Sequence, residues 1–141
     1  MAGTGERGFS GAGGPAIQAR LQVPSAVFVD ETGRVYIADV SNNRIRKVDT
    51  DGTITTVAGT GEDAHTGDSG SATGAALSTP VSVFVSGANV HYVPEWTGHT
   101  IRRIDAGGII TSVAGTCVYG YTGYVVSALW AGRWTPTDVF C

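Results

Sequence analysis

The chain has 141 residues, a formal charge of -3, 42% apolar content and 21 glycines, the length of one ordinary domain with a useful core. That apolar content excludes a disordered chain, and no apolar run approaches the about eighteen residues of a membrane helix. The mild negative charge supplies no general attraction for nucleic acid or anionic lipid, so membrane insertion and nucleic-acid binding are not expected.

The chain starts in glycine-rich sequence, without the basic segment and apolar stretch of a secretory signal. A fragment would lack a signal as well, so compartment stays open, with an extracellular or cell-surface setting favoured. After the glycine-rich residues 2–23, Val27 and Val29 alternate with Ala26 and Phe28, the two-residue period of a strand. A second strand is expected over residues 34–39, joined to the first by "ETG", a short glycine-containing link that favours a hairpin. A third covers 44–49 and a fourth 53–57, with "TDG" as the turn between them. Ile45 and Val48 are three apart, which predicts a bulge or strong twist in the third strand.

The same four elements then recur. "AGTGE" at residues 2–6 returns at 58–62, and "AGTC" stands at 114–117; Pro24, Pro80 and Pro136 share that spacing of 56. Residues 2–57 and 58–113 agree without a gap at 22 of 56 positions. The second set of strands is expected over 81–85, 90–95, 100–105 and 109–113, with no persuasive helical stripe anywhere. Pro94 is expected to end its strand early, because proline lacks the N–H that a ladder needs. The whole chain thus reads as one segment of repeats 2–57 and 58–113 followed by a partial, degenerate repeat over 114–141.

Four short antiparallel strands at a fixed long period are the pattern of a β-propeller blade. The order P-x-x-V-x-V-D-x-x-G-x-V-Y-I-A-D-x-x-N-N-R-I-R-K-V at residues 24–48 resembles the NHL repeat family. The preceding "AGTGERGFSGAGGPAIQARL" is similar to the extended inter-blade segment of its long-period, mostly bacterial members. The resemblance implies an all-β partial β-propeller of four-stranded antiparallel blades, about two and a half blades per chain. An open pair of blades exposes apolar faces and unpaired edges, so further repeats or further copies of the chain are expected to complete it. The third repeat carries Tyr119, Tyr121, Tyr124, Trp130 and Trp134 in place of glycine-rich sequence, and these form the candidate interaction surface. Decay of a terminal repeat or ordinary core packing explains the same aromatics without a dedicated ligand site. Cys117 and Cys141 are compatible with a disulfide or with two free thiols.

Residues with chemical potential favour structural roles. His65, His91 and His99 share no metal-ligand spacing and are read as structural. Glu62, Asp63 and Asp68 lack the alternation of a calcium loop and are read as a solvated loop, and "DTDG" at 49–52 as a turn. "GDSG" at 67–70 is a variant of the repeat's "GAGG" rather than a protease nucleophile segment, and "GTGERG" lacks the Lys-Ser/Thr ending of a phosphate loop. Arg44, Arg46, Lys47, Arg102 and Arg103 are expected to face solvent or to pair with Asp30, Asp39, Asp49 and Asp105. Some animal NHL propellers bind RNA on a basic face, but the first repeat has six basic and six acidic residues and the second two against five. The expected function is a non-catalytic binding module with a protein partner or self-association, without cofactor, metal or catalytic residues. Two alternatives are a structural protein polymerising head to tail into a fibre, and a lyase- or lactonase-like propeller enzyme with a channel metal.

Overall fold

The computed structural model describes residues 2–116. Two four-stranded antiparallel sheets follow one another, each with its strands in chain order. The first holds β1 (Pro24–Val29), β2 (Val35–Asp39), β3 (Arg44–Val48) and β4 (Ile54–Ala58); the second holds β5 (Phe84–Val85), β6 (His91–Glu95), β7 (Thr100–Ile104) and β8 (Ile110–Ala114). The all-β class and the four-stranded antiparallel blade are those the repeat predicts. Tyr119, Tyr121, Tyr124, Trp130 and Trp134, with Cys117 and Cys141, lie outside the described residues.

The bulge expected in the third strand is present in both blades. Ile45 pairs with Ala58 but Arg46 with Thr56, and one repeat later Ile101 pairs with Ala114 but Arg102 with Ser112. Pro94 does not end its strand: it lies inside β6, opposite Ile101 of β7. Its carbonyl accepts from the Val81 N–H at 3.1 Å, so its missing donor falls on the β5 side. The consequence therefore appears across the ladder, where β5 shrinks to two residues while β1 keeps six.

The sheets pack face to face. Tyr36, Ala38, Ile45 and Ala58 of the first blade meet Val83, Val85, Val93, Ile104 and Ile110 of the second in one buried cluster, with Ala72, Ala75 and Leu77 of the inter-blade segment between them. Equivalent residues touch across this seam. Phe28 and Phe84 meet edge to face at 5.1 Å, and the Ser25 hydroxyl donates to the Val81 carbonyl at 2.6 Å. A smaller cluster of Ala16, Ala19 and Ile54 lines the other face of the first blade.

Each glycine-rich segment reaches its own blade through the start of the fourth strand. The Gly13 N–H donates to the Ile54 carbonyl at 2.7 Å and the Ser69 N–H to that of Ile110 at 2.8 Å. The glycine of the repeated "AGTG" is required where this segment leaves the sheet. Gly59 has φ +97° and Gly115 φ +88°, and a Cβ on either would run into the carbonyl of Asn43 or His99. That obstacle is backbone and cannot swing aside. Gly59→Ala is therefore expected to lower stability by more than about 1 kcal/mol, read as a fall in the urea midpoint at unchanged slope.

Candidate functional site

The residues with the greatest chemical potential converge where the second inter-blade segment crosses β6, β7 and β8. Glu95, at the end of β6, is fully buried, and so is Arg102, at the centre of β7. The Glu95 Oε1 accepts from the Ser78 N–H at 2.9 Å and from Arg102 Nη1 at 3.4 Å. Arg102 Nη2 donates to Asp68 Oδ1 at 2.8 Å and to the Thr66 carbonyl at 3.0 Å. His65 stands between a carboxylate and a hydroxyl, its Nδ1 2.6 Å from Glu95 Oε2 and its Nε2 3.1 Å from Ser112 Oγ. The Thr100 hydroxyl also donates to Glu95 Oε2. Burial alone would raise the basicity of the Asp68 carboxylate, but hydrogen bonds from Ser112 and the Arg102 charge more than reverse that and hold it below the usual range.

The first blade solves the same packing problem with fewer ions. Arg46, equivalent to Arg102, is buried 3.6 Å from Asp39 Oδ2, while Asp39 Oδ1 accepts from the Gln22 N–H at 2.7 Å. Phe9 takes the place of His65, with the Arg46 and Arg44 guanidinium carbons 4.7 and 3.7 Å from its ring centre. In both blades, a carboxylate ending the second strand ties down the incoming segment and partners a buried arginine. Neither arginine faces solvent, and Arg102 pairs with Glu95 and Asp68 rather than with the expected aspartates, because it is enclosed by the segment that carries Asp68. Arg44 instead donates to the carbonyls of Asn42, at 3.1 Å, and Thr60. Lys47 pairs with Asp49 at 3.1 Å and Arg34 with Asp30 at 2.8 Å, while Asp105 accepts the N–H groups of Gly107 and Ile109 within its own turn.

Serine, imidazole and carboxylate in this order form the relay used for acyl transfer. Acyl transfer also needs donors where the oxyanion develops. Here the Ser112 N–H donates to Asp68 Oδ2 at 3.1 Å, which puts a negative charge beside the hydroxyl. Glu62, Asp63 and Asp68 are exposed, as a solvated loop implies, but two of them are also engaged: Asp63 accepts from the Ser78 hydroxyl at 3.0 Å and Asp68 from Arg102. Among the described residues, no group of three or more histidine, cysteine, aspartate or glutamate side chains could hold a metal. The three histidines share no spacing, and that concealed the relay. A signal did exist: His65 replaces Phe9 and Asp68 replaces Ala12, two polar changes in one short stretch of segment opposite an arginine that does not change.

A second feature lies on the outer face of the first blade. Val27 and Val29 are 63% and 57% exposed, whereas their equivalents Val83 and Val85 are 4% and 5% exposed beneath the first blade. The two pairs occupy the same repeat positions, and the first blade lies over Val83 and Val85 while Val27 and Val29 have no described blade over them.

Residues 3–64 match the Teneurin NHL domain family. Teneurin-4 from Homo sapiens and Teneurin-4 from Mus musculus are each 36% identical to the chain over 102 residues, covering 63% of it. The chain spans only 4% of the length of these relatives. Among solved structures, a protein of unknown function from Bacteroides thetaiotaomicron superimposes with a TM-score of 0.64 at 20% identity, over 75% of this chain and 26% of that one. Virginiamycin B lyase from Staphylococcus aureus gives a TM-score of 0.46 at 24% identity, over 63% of this chain and 26% of that one.

Proposed function

Because the chain belongs to the NHL-repeat β-propeller family, we propose that it is a non-catalytic interaction module whose first blade accepts a further blade, from additional repeats or from a second copy of the chain. The contrast between Val27 and Val29 and their covered equivalents Val83 and Val85 carries this reading. Covering a valine is worth about 1.5–3 kcal/mol, so leaving both open forfeits a large favourable term. The internal seam supplies the pattern for the missing contact: a neighbour would lay its own Ala26- and Phe28-type face on Val27 and Val29. The charged cluster of the second blade acts as a lock. It fastens the inter-blade segment to the sheet, and Asp68 sits where catalysis would require hydrogen-bond donors. Among the described residues, no helix is long and apolar enough to cross a membrane.

Light scattering on the purified chain tests the proposal. The expected mass is a multiple of 14.5 kDa, and the double variant Val27→Lys/Val29→Lys should return it to the single-chain value with an unchanged circular dichroism spectrum. A trimer would indicate a closed ring and indefinite growth a head-to-tail fibre. A wild-type chain that stays a stable, monodisperse monomer would refute self-completion.

A further inference from the structure

The seam between the blades contains a cavity of about 240 Å³ at the end where β2 and β6 begin, lined in part by Arg34, Tyr36, Lys47, Thr55, His91 and Asp105. Both of its walls belong to the described blades, so the site needs no further blade to form. His91 is 5% exposed, and neither of its ring nitrogens has a hydrogen-bond partner. Its ring is tilted against that of Tyr36 at 5.1 Å. A buried polar group left without a partner needs a cause, such as a water, an ion or a ligand.

The charges around His91 indicate which. After burial itself, the Arg34 and Lys47 cations are what push its imidazole down to about 4, with Asp30 opposing them. Arg34 gives Nε to Asp30 and Lys47 holds Asp49 at 3.1 Å, yet a guanidinium has five N–H donors and an ammonium three. Asp30 already accepts from Thr32 and Arg34, and Asp105, the carboxylate on the cavity wall, accepts from its own turn. Donors are thus in surplus. The arrangement is particular to this seam, because Val35 stands at the position of His91 in the first blade and Val90 at that of Arg34 in the second.

We propose that this cavity binds a small phosphate-like oxyanion between Arg34 and Lys47, beside the buried His91 ring, whose titration senses the bound charge. The volume lies below the roughly 300–1,000 Å³ of pockets for drug-sized ligands, which suits an ion of this kind. A guanidinium can hold two oxygens of such an ion at once.

Nuclear magnetic resonance of the His91 imidazole, titrated with sodium phosphate at an ionic strength held constant with sodium chloride, tests the proposal. Saturable shifts are expected, together with a rise in the pH at which His91 titrates, because a bound anion favours the imidazolium. Lys47→Met, a change at a partly exposed side chain, should weaken phosphate binding at least tenfold while the circular dichroism spectrum stays the same. A His91 titration identical in phosphate and in chloride would overturn the proposal, as would undiminished binding by Lys47→Met. Acetate bound as tightly as phosphate would overturn the assignment to a phosphate-like ion.

Discussion

Glu95→Ala is expected to lower the unfolding free energy by about 3–5 kcal/mol, the usual cost of removing one partner from a buried ion pair. Glu95 is fully buried and holds four residues on two elements: Ser78 and His65 in the inter-blade segment, Thr100 at the start of β7 and Arg102 at its centre. Alanine would leave the Ser78 N–H without its acceptor and Arg102 with Asp68 as its remaining carboxylate. Glu95→Gln separates the contributions, since it keeps acceptor oxygen but removes charge, and should fall between the alanine variant and the parent. The urea midpoint measures both, with the slope showing that the folded state is otherwise unchanged. A loss below about 1 kcal/mol for alanine would mean that the segment is held mainly by its apolar contacts at Ala72, Ala75 and Leu77.

The second large effect is a pH dependence centred on His91. Its imidazole titrates at about 4 in the folded chain against 6.5 when unfolded, pushed down by burial and then by Arg34 and Lys47. Between those values the unfolded chain takes up a proton that the folded chain does not. Stability from this group is therefore fully present above about pH 6.5 and is lost as the pH falls towards 4, by roughly 3 kcal/mol at most. His91→Val places in the second blade the residue that the first blade carries at Val35. It should flatten the stability profile over this window while leaving other acid-sensitive groups, such as Asp30 and Asp68, unaffected. Denaturant titrations at half-unit pH intervals on both chains would show this, and parallel profiles would contradict it.

Strand positions were legible because the repeat presents each strand twice, and two copies constrain the boundaries better than one. The period of alternation gave β1 through Val27 and Val29, and the spacing of Ile45 and Val48 gave the bulge. The effect of Pro94 depends on which neighbouring strand needs its N–H, and local sequence does not identify that neighbour. That donor points to β5, so the ladder is disturbed in β5 and not in β6. The charged cluster was hidden for a different reason. Arg102, Glu95, His65, Asp68 and Ser112 are spread over nearly 50 residues, and only the path of the inter-blade segment brings them together. Burial of the arginines was equally invisible. A basic residue on an alternating strand looks solvent-facing until the segment that covers it is placed. Alignment of the repeats nonetheless held a usable trace, because polar residues replaced Phe9 and Ala12 opposite an unchanged arginine.

If Val27 and Val29 form a face that another blade covers, methyl resonances observe the covering directly. With a soluble paramagnetic probe in dilute solution, the Val27 and Val29 methyls should be strongly attenuated and those of Val83 and Val85 protected. As protein concentration rises, protection of Val27 and Val29 is predicted to approach that of Val83 and Val85. Attenuation of Val27 and Val29 that stays the same at every concentration would contradict it.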